Sequence, residues 1–123
     1  MQYVLILADI TDFAPDGPLQ GFSYSNGVLH VLQSGTYYIY AQAFFEVYGG
    51  GDHRLKLIVN GEQVSLIQNS YSEGSQYGNR FTGVIKKLNE GDYICLRANS
   101  ATKLWMAKAH TFFGAIGIGI ESC

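Results

Sequence analysis

Three histidines, ten carboxylates and two cysteines are the side chains of this 123-residue chain best equipped for chemistry. A zinc site needs Cys and His ligands at short, regular spacings, and His30, His53, His110, Cys95 and Cys123 have none. A general acid/base pair needs two carboxylates brought together. Asp16, Asp52, Glu62, Glu73, Glu90 and Asp92 instead sit among the glycines and asparagines of turns, where such residues are ordinary. No Gly-x-Ser-x-Gly elbow, phosphate-binding glycine loop or dinucleotide fingerprint occurs. The expectation is a protein with no catalytic residues, no metal and no cofactor. The cysteines read as two free thiols with Cys95 packed as a small hydrophobe; a Cys95–Cys123 bridge stays open, because spacing does not give connectivity. What remains is recognition by surface. The stretch 69–78, Asn-Ser-Tyr-Ser-Glu-Gly-Ser-Gln-Tyr-Gly, reads as a loop presenting Tyr71, Ser72, Glu73 and Tyr77. Tyrosine supplies large amphipathic contact area at low entropic cost. Anchoring of the loop to its own sheet is the competing reading.

The elements that must position such a surface are strands. Turn signals recur every eight to twelve residues and helical periodicity is hard to find, the pattern of an all-β sandwich or barrel. Strands are expected over 3–8, 28–32, 36–47, 54–59, 64–68, 80–88, 93–98 and 111–118. Asn60-Gly61 between two alternating runs predicts a type I′ hairpin, and Asn89-Glu90-Gly91-Asp92 a tight turn with Gly91 left-handed. Gly49-Gly50-Gly51 should tip a long, mobile hairpin. Eight short strands fit a two-sheet antiparallel jelly-roll sandwich, one domain over residues 1–123.

Alternation assigns faces. Leu55, Leu57 and Val59 face in and Arg54, Lys56 and Ile58 out; Ile94, Leu96 and Ala98 face in and Tyr93, Cys95 and Arg97 out. Residues 35–45, GTYYIYAQAFF, break that rule of one wet face. Tyr37, Ile39, Ala41, Ala43 and Phe45 make a core side, but the other side carries Tyr38, Tyr40, Gln42 and Phe44. The last strand repeats this, with Phe113 and Ala115 on one side and Phe112, Gly114 and Ile116 on the other. Charged residues are only 15% of the chain and apolar ones 47%, against about 25% charged in an average soluble domain. Surface hidden in an oligomer accounts for both facts.

A net charge of −2 with no Lys/Arg run argues against nucleic acid. The apolar run Val4–Ala8 is far too short to cross a membrane, so no direct membrane insertion of this domain is expected. Met1-Gln2 leads into YVLILADI with no basic segment, which fits either an intracellular protein or an excised ectodomain.

Three motifs together resemble the tumour necrosis factor ligand family. Gly35-Thr36-Tyr37-Tyr38-Ile39-Tyr40-Ala41-Gln42 is similar to its G-x-Y-x-I-Y-S/A-Q strand, Leu88-Asn89-Glu90-Gly91-Asp92 to its L-x-x-G-D turn, and His110-Thr111-Phe112-Phe113-Gly114-Ala115-Ile116 to its closing T-F-F-G-A strand, the ectodysplasin-like branch above all. The related globular head of the first complement component is a competitor, through Leu57-Ile58-Val59-Asn60-Gly61-Glu62; it would make the chain a trimeric module recognising proteins or carbohydrate patterns. Both imply a jelly-roll homotrimer. The first implies an extracellular cytokine, secreted or shed from a type II membrane precursor, whose inter-subunit grooves bind cysteine-rich receptor ectodomains. It puts Tyr40 and Phe112 on the three-fold axis, with Tyr38, Gln42, Phe44, Gly114 and Ile116 in the trimer interface, and Tyr71, Ser72, Glu73 and Tyr77 at the receptor. Two departures stand out. The third axis aromatic falls on Arg80, itself an expected interface residue, so that either neighbouring Phe81 compensates or Arg80 meets an acidic residue or a trapped anion near the axis. The cysteine pair near the receptor loops is replaced by Ile67 and Asn79.

Overall fold

The computed structural model describes residues 3–6, 21–48, 51–71, 75–98, 102–105 and 111–120, with side chains described over 21–45, 54–68, 80–98 and 111–119. Ten strands and no helix make up the described chain: β1 Tyr3–Ile6, β2 Phe22–Ser25, β3 Val28–Val31, β4 Gly35–Tyr48, β5 Gly51–Val59, β6 Glu62–Tyr71, β7 Ser75–Leu88, β8 Tyr93–Ala98, β9 Thr102–Trp105 and β10 Phe112–Ile120. They form two antiparallel sheets. Sheet A runs β1–β9–β4–β10 with β7 also on β4, and sheet B runs β2–β3–β8–β5–β6. Strand β7 accompanies β4 from Gly35↔Leu88 to Tyr48↔Ser75. Strands β10 and β9 share β4's opposite edge, the first up to Gln42 and the second at Phe45 and Glu46. At the hand-over, the Phe44 amide donates to Oγ1 of buried Thr111 at 3.2 Å, so the gap in the ladder leaves no orphaned donor.

Local chemistry explains the turns. Asn60 and Gly61 both take positive φ, 52° and 82°, and join β5 to β6 by two residues as a type I′ turn demands. The Asn60 side-chain oxygen accepts from the Tyr93 amide at 3.0 Å, tying this hairpin to β8. Asn26 and Gly27, at 50° and 84°, do the same between β2 and β3. The Asn89–Asp92 turn is closed by the Asp92 amide donating to the Asn89 carbonyl, with Gly91 at φ 94°.

The core lies between the sheets. Tyr37, Ile39, Ala41, Ala43 and Phe45 from β4 meet Leu55, Leu57 and Val59 from β5, Ile94, Leu96 and Ala98 from β8, and Phe22, Leu29, Val31, Ile67 and Leu88. Phe22 meets Tyr37 edge-on, ring centres 5.1 Å apart. The Tyr37 hydroxyl donates to the Gln33 carbonyl at 2.6 Å, and burial pushes its phenol above the ordinary 10.0.

Three expectations need correction. Stretch 69–78 is mostly strand: β6 runs to Tyr71 and β7 starts at Ser75, register-locked to β5 and β4. Strands β2 and β9 were not anticipated, each being only four residues long. Ile58 pairs with Cys95 on the outward side of sheet B as alternation predicts, yet it is buried; Cys95 is buried too, as its packing as a small hydrophobe requires. Alternation gives a direction, not what covers it. Cys95 is a buried thiol outside any disulfide among the described residues, and Cys123 and Gly49-Gly50 lie outside those residues.

Candidate functional site: the outward face of sheet A

Strand pairing collects one continuous face. Tyr38, Tyr40, Gln42 and Phe44 stand opposite Ile85, Gly83, Phe81 and Asn79 on β7. On the other edge Tyr38, Tyr40 and Gln42 stand opposite Ile116, Gly114 and Phe112 on β10. Directly paired residues in an antiparallel ladder point to the same side, so the face is assembled from three strands that lie far apart in the sequence. Ile85 is 63% exposed and Phe81 and Ile116 56% each, while the tyrosines between them are half-buried. Along its length this face carries no charge from Gln42 to Tyr38 among the described residues; Lys87, opposite Thr36, marks its end. Such a cluster of large apolar side chains is what a surface covered by protein presents.

Aromatic geometry gives the face its shape. Tyr38 and Tyr40 stack, ring centres 6.0 Å apart at 25°, and Tyr40 meets Phe112 edge-on at 6.2 Å and 68°. Register shifts between Gly117 and Gly119, a bulge that makes Ile118 an extra residue on β10.

Of the expected interface residues, Tyr38, Tyr40, Gln42, Phe44, Phe112, Gly114 and Ile116 come together on this face. Arg80 does not. It pairs with Ala43, whose side chain is fully buried, and so points to the other side of β7. The odd-numbered residues of this strand are the ones that share Tyr40's side. Phe81 is the aromatic residue of β7 on that side, opposite Gln42. Arg80 stays exposed because β7 is an edge strand, paired only with β4 among the described residues. Phe81, Gly83 and Ile85 join the face unforeseen. The run 80–88 alternates mixed residues on both sides, so only its register against β4 distinguishes them.

The expected contact residues divide. Tyr71 ends β6 opposite Gly51, and Tyr77 lies in β7 opposite Glu46. Ser72 and Glu73 lie outside the described residues. Among the described residues no three His, Cys, Asp or Glu side chains gather as a metal site would require. A cleft of about 360 Å³ at one end of the sandwich has Val59, Val64 and Leu88 beside Lys86, Asn89 and Asp92. Its Asp92 carboxylate already accepts from the Asn89 amide at 2.8 Å, so the turn uses that group itself.

Comparison with known proteins bears on fold and family. Eiger TNF from S. frugiperda superimposes with a TM-score of 0.81 at 15% identity, covering 99% of this chain and 87% of that one. Murine APRIL at pH 5.0 gives 0.73 at 18% identity, covering 94% and 96%, and at pH 8.0 gives 0.71 at 16%, covering 95% and 100%. At such identities the likeness is one of fold. No curated protein matches the chain. The model of the TNF(Tumour Necrosis Factor) family, however, matches residues 17–118, from before β2 to within β10. That span takes in all three motifs and most of the chain, which therefore belongs to the tumour necrosis factor family.

Proposed function

We propose that this TNF-like cytokine domain, a single unit over residues 1–123, works outside the cell as a homotrimer. It gathers cysteine-rich receptor ectodomains in the grooves between its subunits. Family membership makes it a cytokine rather than an enzyme. The observation that carries the trimer is the stretch of sheet A's outward face from Gln42 to Tyr38, which bears no charge among the described residues and sets Phe81, Ile85 and Ile116, more than half exposed, around half-buried tyrosines. The interface consists of Tyr38, Tyr40, Gln42, Phe44, Phe112, Gly114 and Ile116, with Phe81 in the place first given to Arg80. Signalling follows from geometry: three equivalent grooves hold three receptors close, and the second and third contacts gain from effective concentration.

Receptor contact is assigned to Tyr71, Ser72, Glu73 and Tyr77, around the connection from β6 to β7. The domain is released by secretion or by shedding from a type II membrane precursor. Among the described residues no helix is long and apolar enough to cross a membrane. Light scattering at micromolar concentration tests the assembly: the trimer mass is expected, and the monomer mass sinks it. For the receptor, a panel of cysteine-rich ectodomains is screened for capture. Tyr71→Ala should then weaken the captured partner by about 1–3 kcal/mol while leaving the trimer intact. Equal affinity would remove Tyr71 from the site.

A further inference from the structure

The geometry points to Gly83 and Gly114 as positioning residues of the assembly face, seats that let Tyr38 and Tyr40 lie flat across their neighbouring strands. This rests on the trimer reading above. Side chains on a strand ordinarily stand roughly perpendicular to the sheet. Here the two tyrosines lean over instead, in opposite directions. A methyl on Gly83 of β7 would overlap the Tyr38 hydroxyl and lie 2.6 Å from its Cζ and 2.8 Å from its Cε1. A methyl on Gly114 of β10 would lie 2.6 Å from the Tyr40 hydroxyl and 2.9 Å from its Cζ. Real Cβ atoms do not approach so closely, so each ring occupies space that only glycine leaves open.

Glycine inside a strand is otherwise a loss, weakening it through chain entropy and a missing side chain. Neither position has a left-handed φ to require it. What the pair gains is a level floor. Tyr38 covers β7 and Tyr40 covers β10, and the stacked rings bridge them over β4. Any side chain at 83 or 114 would lift a ring away from the sheet. In a lone subunit the lifted ring swings into water at little cost. In an assembly it stands where the next copy must pack. The glycines therefore act on assembly through the tyrosines rather than on folding.

The test is a double-mutant cycle on the whole chain, read by sedimentation equilibrium. Gly83→Ala should raise the concentration at which the trimer dissociates by about tenfold, and the same change in a Tyr38→Ala background by less than about twofold. Gly119→Ala is the control: its methyl would sit 3.6 Å from Thr36 Cβ, an ordinary contact, and assembly should not change. If Tyr38→Ala prevents assembly at every concentration, the melting temperatures of dilute monomers decide. They should be unchanged or raised by Gly83→Ala, since alanine stiffens the unfolded chain. A trimer indifferent to Gly83→Ala, additive effects in the cycle, or a lowered monomer melting temperature each overturns the seat while leaving the trimer standing. A monomeric wild type overturns both.

Discussion

Sheets A and B share one core, but their outward sides are made of different material. On sheet B the outward positions hold Ser23 opposite His30, His30 opposite Tyr93, and Lys56 opposite Arg97. On sheet A the same positions hold Tyr38, Tyr40, Phe44, Phe81, Ile85, Phe112 and Ile116. Period-two alternation operates in both, since Leu57 and Ile39 alike point inward and are fully buried. The difference therefore lies in what stands outside each sheet. Sheet B's outward side is mostly polar, sheet A's mostly apolar. Even sheet B has one dry spot, the buried Ile58–Cys95 pair.

Substitutions at matched depths test that contrast. The inward side should be the most sensitive: Phe45→Ala opens a cavity in the shared core and should cost about 3–5 kcal/mol in urea unfolding. Tyr40→Asp, on the outward side of the same strand, puts a charge where an uncharged face is covered. It should leave a folded subunit that light scattering reports as a monomer; an unchanged trimer would show that this face is solvated like that of sheet B.

Tyr37 sharpens the comparison, because it is Tyr38's neighbour on the opposite side. Burial holds its phenol above the ordinary 10.0, so the folded protein keeps it neutral where the unfolded chain ionises. Stability from this group is complete below about pH 10 and declines as pH rises beyond that. Tyr37→Phe loses the hydroxyl's bond to Gln33 and should cost about 1 kcal/mol at neutral pH, while making the alkaline decline shallower. Urea titrations at neutral and alkaline pH check this, and parallel declines would assign the alkaline loss to another group. The smallest effect belongs to sheet B. Lys56→Glu, opposite Arg97, should change stability by no more than about 0.5 kcal/mol and leave the assembled mass alone.

Much of this was legible in the chain itself. Alternation in 35–45 identified both sides of β4 correctly, and Asn60-Gly61 gave its turn type, because each depends on neighbouring residues only. Asn26-Gly27 carried the same hairpin signal for β2, and it went unread as a strand because Phe22–Ser25 is so short. The contact stretch 69–78 was misread as loop for a related reason. Its small polar residues look like a turn, but pairing with β4 and β5 extends β6 and β7 far into it.

The sequence by itself determined that β4 and β10 have two apolar sides, where the tight turns fall and which residues form the core. Those properties follow from backbone period and local φ preferences. Only the tertiary structure decided that Phe81 rather than Arg80 shares Tyr40's side, that Ile85 extends the face, and that Gly83 and Gly114 lie beneath tyrosine rings. Each depends on register between strands tens of residues apart, and a slip of one residue sends a side chain to the opposite face.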